Sequence, residues 1–556
     1  MTLKRLEKLA AHLLFFMIFL ETLLNVGLVC NVRVNRWELP VAYALYLGGV
    51  AVLKVRKRQR FTVRGVAIAI ALPFVFVLIA QGLGRVYDSS WDGQDYHADA
   101  VIALSKGWNP WKTGRVPLPN PNGGEYVVGY PKTTWLIQAS IYKATGRLNA
   151  AAITNVIAAV IAFVFVLAAL RRLKLQLKWA VPIAFLAVFE IHFMQQALTL
   201  MGDGYGYELS LVAIAALLRL LMDKDKGLAL ALFLSSWLLL AGGKFSNLVV
   251  CAVLGAIVAI AFVRANTDKY PHLSPIILGF CVIGVLTLWV PYGRNLNNYH
   301  SPLYPQNLPA QSATLRRDNV PINLEHANRL TLLFYGIFSA PEKPSNGSPD
   351  SPQNVAILKA PFTFSKYEIA QANDYQGRVG AGGVFFGGLI LLSLILYIWL
   401  LLSAALGEER RALLYIGLII TLITSTTLLI PVPNKLRYSP LLALIPLLML
   451  ISLLRSSHRG WLARAIRVAF ILLIAANTII AAGAITGARI KDIRSANRQF
   501  AALAQTHATY QVHIGSFDSS LTRLDEHHIS YVRVAKLTCK NPQPLALSYD
   551  TTYLCR

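Results

Sequence analysis

Acidic side chains are scarce in this chain, with 27 Asp and Glu against 53 Lys and Arg in 556 residues, and charged residues of both signs make up only 14% of the total. So little charge beside 55% hydrophobic residues excludes a string of soluble domains, although the length alone would allow several. Cysteine is sparse as well: the five present show no zinc-site spacing, and Cys30, Cys251 and Cys281 sit in or beside apolar runs, where a thiol is usually a small buried hydrophobe. There is no phosphate-binding loop, no dinucleotide fingerprint and no internal repeat of fixed period. The formal charge of +26 does not indicate nucleic acid, because the basic residues fall in short clusters between apolar runs and form no basic face on a soluble domain.

What is abundant is long apolar sequence. About 20 apolar residues are needed per crossing, and on that measure the chain offers about thirteen spans: 9–30, 39–53, 61–81, 149–170, 179–200, 208–221, 227–242, 247–263, 275–290, 384–406, 412–430, 440–454 and 466–484. The runs between 208 and 263 and the one at 440–454 are short, and fit tilted or re-entrant segments as well as full crossings. The expected fold is therefore an all-α polytopic membrane domain, 1–486, followed by a small α/β domain, 487–556. That last domain reads as a helix, a strand at 510–517, a helix near 521–526 and a strand at 529–537.

Basic clusters set the expected orientation. Lys4, Arg5 and Lys8 place the N-terminus in the cytoplasm, and alternation puts Lys54 to Arg60, Arg171 to Lys178, Arg410 with Arg411, and Arg455, Arg459, Arg464 and Arg467 on the same side. The first run lacks a small-residue cleavage site and reads as an anchor. Two long loops, 82–148 and 291–383, and the tail then face outward, in the periplasm if the membrane is a bacterial inner one. Cys539 and Cys555 share that tail, which makes them candidates for a disulfide. The first loop is expected to carry helices lying along the membrane surface and a turn-rich stretch at 117–124; the second carries a Pro- and Ser-rich segment, 341–354, suited to a mobile lid. An Asn346-Gly347-Ser348 sequon there is of a kind that arises often by chance.

The first loop opens on Trp91-Asp92-Gly93-Gln94-Asp95-Tyr96-His97. If a helix starts at Trp91, Asp92, Asp95 and Asp99 share a face, and crowded carboxylates raise one another's proton affinity, as suits a general base. The structural alternative is a Ser-x-x-Asp capping box formed by Ser89 and Asp92. Further polar elements are Tyr130-Pro131-Lys132, Arg294-Asn295, Pro302-Leu303-Tyr304-Pro305 and Asn434-Lys435-Leu436-Arg437-Tyr438.

An acidic motif at the start of the first long loop, many spans and a small C-terminal domain together resemble the GT-C superfamily of integral membrane glycosyltransferases, which use polyprenyl-phosphate sugars. The nearest likeness is to the protein-mannosyltransferase and aminoarabinose-transferase branch, in which an acidic residue is followed four positions later by an aromatic one, here Asp92 and Tyr96. Two departures stand out: two apolar runs precede the span that leads into the acidic loop, and Gly93 stands where a second acid often follows, which leaves Asp95 as a rival base.

The resemblance implies an inverting transfer of sugar from a polyprenyl-phosphate donor to a glycan, glycolipid or protein acceptor of the cell envelope. Such transfer needs a carboxylate to take the acceptor's proton and cations to hold the departing phosphate. Asp92 or Asp95 is the expected base. Arg437, Lys132, Arg294 and Lys435 are the expected phosphate ligands, with Arg437 foremost because its Pro-flanked turn needs no topology charge; the alternative for each is snorkelling to anionic headgroups. Tyr96, His97, Asp203, Tyr304 and Tyr438 are candidates for substrate contact. No cofactor is expected, and a divalent cation is not favoured.

Two other classes fit the layout. Glu21, Glu190 and His192 in or near apolar runs would suit a flippase or transporter, but transporters gather polar groups near the midplane. An O-antigen ligase or polymerase would rely on arginine and histidine in a late outer loop and would survive loss of Asp92 and Asp95.

Overall fold

The computed structural model describes residues 2–117, 124–264, 273–343, 355–371, 374–404, 407–458, 460–515, 517–548 and 553–555. The turn-rich 118–123, most of the 341–354 segment with its sequon, and Arg459 lie outside the described residues.

The chain is mostly helical. Among the described residues ten helices are long and apolar enough to cross a membrane, which marks a multi-pass membrane protein: Leu3–Val29, Glu38–Arg56, Val63–Leu83, Leu148–Arg172, Gly202–Met222, Asn247–Arg264, Leu273–Tyr299, Phe386–Ser403, Glu408–Leu429 and Trp461–Gln505. The other three of the thirteen expected runs form shorter helices. The run at 179–200 gives Leu177–Val188 and then stops, because the Glu190 carboxylate caps a new short helix by accepting from the backbone N–H groups of His192 and Phe193 at 3.0 and 2.6 Å. Lys226–Ala241 has 16 residues, about 24 Å of helix at the usual rise. It is walled by protein along most of its length, so its exposure to lipid is small. Pro440 opens the last of the three as a 3₁₀ turn before Leu444–Arg455.

Burial separates the helices into two kinds. Leu148–Arg172 and Gly202–Met222 form the centre of the bundle, whereas Glu38–Arg56 and Val63–Leu83 bury a single residue each, Ala42 and Ala80. A helix apolar on every side yet uncovered by protein is solvated by lipid.

Two polar clusters mark opposite ends of Gly202–Met222. At one end Glu7 pairs with Arg172 and Arg219 at 2.7 and 2.9 Å, and Asp223 with Arg172 at 3.2 Å. This gives Arg172, read from sequence as a topology charge, a structural partner. At the other end Asp203 pairs with Lys244, and here the long loops converge.

The loop helices are less superficial than expected. All eight residues of Ala98–Ser105 are buried, because a segment apolar on nearly every face must be covered all round, and it packs on Thr133–Thr145. In the second loop, Ser339–Pro341 pairs antiparallel with Ala356–Leu358.

The C-terminal region contains a four-stranded sheet in the order Tyr531–Arg533, Tyr510–His513, Tyr553–Cys555, Gln543–Pro544, with the first pair parallel and the others antiparallel. The helix Ser519–Glu526 accompanies it, and Cys539 and Cys555 form a disulfide. The two last short strands are absent from the sequence reading, which lacked any alternation long enough to mark them. The helix Trp461–Gln505 runs without a break through position 487 and so joins the bundle to this region directly. The tail in turn grips the acidic loop: Ser519 donates to the carbonyl of Gln94 at 2.8 Å, Arg523 to that of Asp88 at 2.7 Å, and Trp91 meets Phe517 edge to face.

Candidate functional site

The turn that carries Asp92 is built on Asp88. Its buried carboxylate accepts from the backbone and hydroxyl of Ser90 at 2.8 and 2.6 Å and from the backbone of Leu200 at 2.7 Å, tying the start of the loop to the entrance of Gly202–Met222. Gly93 presses on this anchor: a β-carbon there would lie 2.1 Å from Asp88 Oδ2 and 2.3 Å from Ser90 Oγ. An acidic side chain at this position would not fit. Gly93→Ala is therefore expected to displace the turn and lower thermal stability while the bundle still assembles, which size-exclusion behaviour and thermal unfolding measured on one preparation would check.

The chain then widens into a π turn, Gly93–His97, with Asp95 at non-helical φ −78° and ψ −121°. This breaks the α-helical spacing on which a shared face of Asp92, Asp95 and Asp99 depended, and Asp99 is fully buried. The capping box does not form either. Asp92 makes no capping hydrogen bond, and the Ser89 hydroxyl is engaged by Tyr375 and Arg489.

Instead the Asp92 carboxylate meets Arg437. Oδ2 lies 2.6 Å from Arg437 Nη2, and Oδ1 accepts from Gln376 Nε2 at 3.0 Å. Gln376 Oε1 accepts from Lys435 Nζ at 2.8 Å, and Lys435 also donates to the side chain of Asn319. Arg437 donates to the carbonyl of Tyr375 at 3.2 Å, and Asn434 to those of Asn319 and Arg378 at 2.9 and 3.2 Å. Four distant segments thus close around one ion pair. Lys244, bonded to Asp203 at 2.6 Å, completes it from the bundle side. The Tyr438 ring lies among the three cations, 4.9 Å from Lys244, 4.8 Å from Lys435 and 5.1 Å from Arg437.

The charges shape one another's protonation. Burial would raise the Asp92 carboxyl, but Arg437, Lys435 and Lys244 outweigh it and hold the group well below the usual carboxylate range. The sequence expectation ran the other way, toward carboxylates raising each other, and is corrected by the cations that face this one. Burial and the neighbouring charge of Arg437 draw Lys435 down to about 8. Burial would raise Tyr438, yet Lys435, Arg437 and Lys244 bring it down to about 8. His97, lowered to about 3 by burial and then by Lys244, is neutral. Its Nδ1 accepts from Trp135 Nε1 at 2.7 Å, so the proton sits on Nε2, which has no partner among the described residues. Tyr96, Tyr126 and Tyr130 stand together beside it, with ring centroids 5.3 to 5.8 Å apart.

A small, partly open cavity lies beside this cluster. Asp203, Arg437 and Tyr438 line it, together with Tyr207, Ser210, Asn247, Val250 and Thr427 from the neighbouring ends of three membrane-length helices.

Asp92, Tyr96, His97, Asp203, Lys435, Arg437 and Tyr438 are thus brought together. Lys132, Arg294 and Tyr304 lie elsewhere: the side chains of Lys132 and Tyr304 make contacts within their own loops, and Arg294 joins the second loop to the first. Lys132 is buried, donates to the carbonyls of Val128 and Tyr130, and lies over the rings of Trp108 and Trp135. Burial, with Arg294 adding to it, lowers its pKa well below the usual lysine range. Arg294 donates to the carbonyl of Pro110, Tyr304 stacks on Tyr299 at 3.7 Å, and Asn295 bridges the carbonyls of Gly129 and Tyr304.

Sequence reasoning missed Lys244, Asn319, Tyr375, Gln376 and Arg489. A signal existed for some of them. Asp374-Tyr375-Gln376-Gly377-Arg378 is a dense polar run just before an apolar one, and Lys244 is a lone cation between two apolar runs on the side away from the basic clusters. Among the described residues no group of His, Cys, Asp and Glu could hold a metal ion. Compared with family models, curated proteins and solved structures, the chain matches none.

Proposed function

We propose that this protein is an inverting, GT-C-like glycosyltransferase that takes its sugar from a polyprenyl-phosphate donor at the outer face of a bacterial inner membrane. In this reading the chain crosses thirteen times, with its N-terminus cytoplasmic and its C-terminal region periplasmic. The supporting observation is the cluster of Arg437, Lys435 and Lys244 around Asp92, beside a cavity at the ends of three membrane-length helices. Cations at the end of membrane-length helices suit an anionic headgroup on a long chain that lies in the membrane.

The donor phosphate binds to Arg437, Lys435 and Lys244, with its lipid chain lying in the membrane. Its negative charge competes for the cations that keep Asp92 acidic, so the carboxylate gains proton affinity as the site fills. The acceptor oxygen then bonds to the anomeric carbon as the carbon–phosphate oxygen bond breaks; the hydroxyl proton passes to Asp92 and the lipid phosphate leaves on the cations. Neutral His97 donates from Nε2 to a sugar hydroxyl, and the tyrosines offer rings to its apolar face. Glycan, glycolipid and protein acceptors all satisfy this chemistry.

Native mass spectrometry of the protein in nanodiscs tests the donor site. Polyprenyl phosphate is expected to bind at least tenfold more tightly than the matching polyprenol, about the contribution of one charge-assisted hydrogen bond; equal binding of the two would sink the reading. Comparing envelope glycans and glycolipids of a deletion strain with its parent would identify sugar and acceptor.

The pH dependence follows from two groups. As pH rises through about 8, Lys435 loses its positive charge and Tyr438 acquires a negative one, so both changes reduce the positive charge that holds phosphate. KM for the donor is expected to rise above about pH 8, and Lys435→Arg to move that rise upward, because arginine keeps its charge throughout. A KM flat across this range in the unaltered protein contradicts it.

A further inference from the structure

A second cavity, half open to its surroundings, shares Ser439 and Pro440 with the first, so the turn after Arg437 is a common wall. Its chemistry differs. Leu186, Phe386, Leu389 and Leu447, from three separate helices of the bundle, make it mostly apolar, and among the described residues no lysine or arginine lines it. Asn477, also on its wall, is satisfied: it accepts from the backbone of Phe385 at 2.8 Å and donates to Gly382 at 3.1 Å.

His192 is different. Its ring lies 3.0 Å from Glu190 Oε2 through Nδ1, and since a carboxylate can only accept, Nδ1 carries the proton. In the neutral ring Nε2 then keeps its lone pair, and it has no partner among the described residues, on a side chain 7% exposed that lines the cavity. The Ser439 hydroxyl, buried on the shared wall, likewise has no partner there. The site therefore offers a hydrogen-bond acceptor beside an anion, within apolar walls. An anionic headgroup is disfavoured by Glu190, and a free sugar by the lining.

We propose that this cavity binds a second lipid, a hydroxyl-bearing amphiphile whose chain lies among Leu186, Phe386, Leu389 and Leu447 and whose hydroxyl donates to His192 Nε2. As the acceptor of the sugar it rests on the transfer reading above; as a lipid site it does not. Glu190 is a positioning residue here, fixing the tautomer of His192.

The probe is a photoreactive, clickable hexadecanol, compared with its methyl ether on the whole protein in nanodiscs without donor. The alcohol is expected to label the peptides around 186–192 and 442–447 roughly tenfold more than the ether, the equivalent of one buried hydrogen bond. His192→Phe should remove that preference and His192→Gln, which keeps an acceptor, restore part of it. Equal labelling by alcohol and ether in the unaltered protein, or a preference that survives His192→Phe, overturns the proposal. If His192→Phe does not fold, the alcohol-to-ether ratio on the unaltered protein decides. Because donor is absent, failure of sugar transfer leaves this result standing, and failure of labelling leaves phosphate binding at Arg437 untouched.

Discussion

Replacing Arg437 by methionine is expected to reduce turnover by roughly 10²–10³-fold, the usual cost of losing one group that stabilises developing charge, and to destabilise the fold as well. The side chain is almost wholly buried and its guanidinium faces a carboxylate that is itself mostly covered. Without it, Asp92 would be an uncompensated charge in a dry site, at a cost of about 3–5 kcal/mol. The two effects separate in the double variant Asp92→Asn/Arg437→Met. Removing both partners should recover most of the thermal stability measured in nanodiscs, and none of the turnover. If Arg437→Met keeps normal turnover, the phosphate is held elsewhere.

Asp92→Asn should act in the opposite sense on binding and chemistry. Loss of the proton acceptor is expected to lower turnover by roughly 10²–10⁴-fold. Binding of polyprenyl phosphate, however, should be unchanged or tighter, because the carboxylate that occupies Arg437 in the empty site is gone. Asparagine keeps one acceptor oxygen, enough for one of the two contacts that Oδ1 and Oδ2 make, so the turn retains a tie to its partners. A mere structural role for Asp92 would instead weaken binding and turnover together. Native mass spectrometry for the lipid and single-turnover kinetics for the chemistry would distinguish the two.

Much of this arrangement was legible in sequence, but unevenly. Apolar length marked the bundle, and the ten longest helices coincide with ten of the thirteen expected runs, because burial in lipid demands an unbroken apolar stretch. The same measure misjudged 179–200, where Glu190 ends one helix and starts another; hydropathy averages over a single capping residue. Asp92 and Arg437 were both singled out, yet their pairing over 345 positions of chain was not, since no local pattern records which loops meet. The helical face of three carboxylates failed for a local reason: Gly93 and the bend at Asp95 widen the turn. Lys132 and Arg294 looked like phosphate ligands because basic residues near span ends have several uses. Here their donors go to backbone carbonyls of the first loop, an outcome that depends on tertiary packing alone. Lys244 was overlooked because a single lysine between apolar runs resembles a topology charge; what distinguishes it is Asp203 one helix away.

The most direct test is sugar transfer itself, from a labelled polyprenyl-phosphate sugar to envelope acceptors, by the purified protein in nanodiscs. The unaltered protein is predicted to release polyprenyl phosphate and label an acceptor with inverted anomeric configuration. Asp92→Asn should lose that activity while still binding the lipid, and Asp95→Asn should keep most of it. Full turnover in both variants would contradict the account.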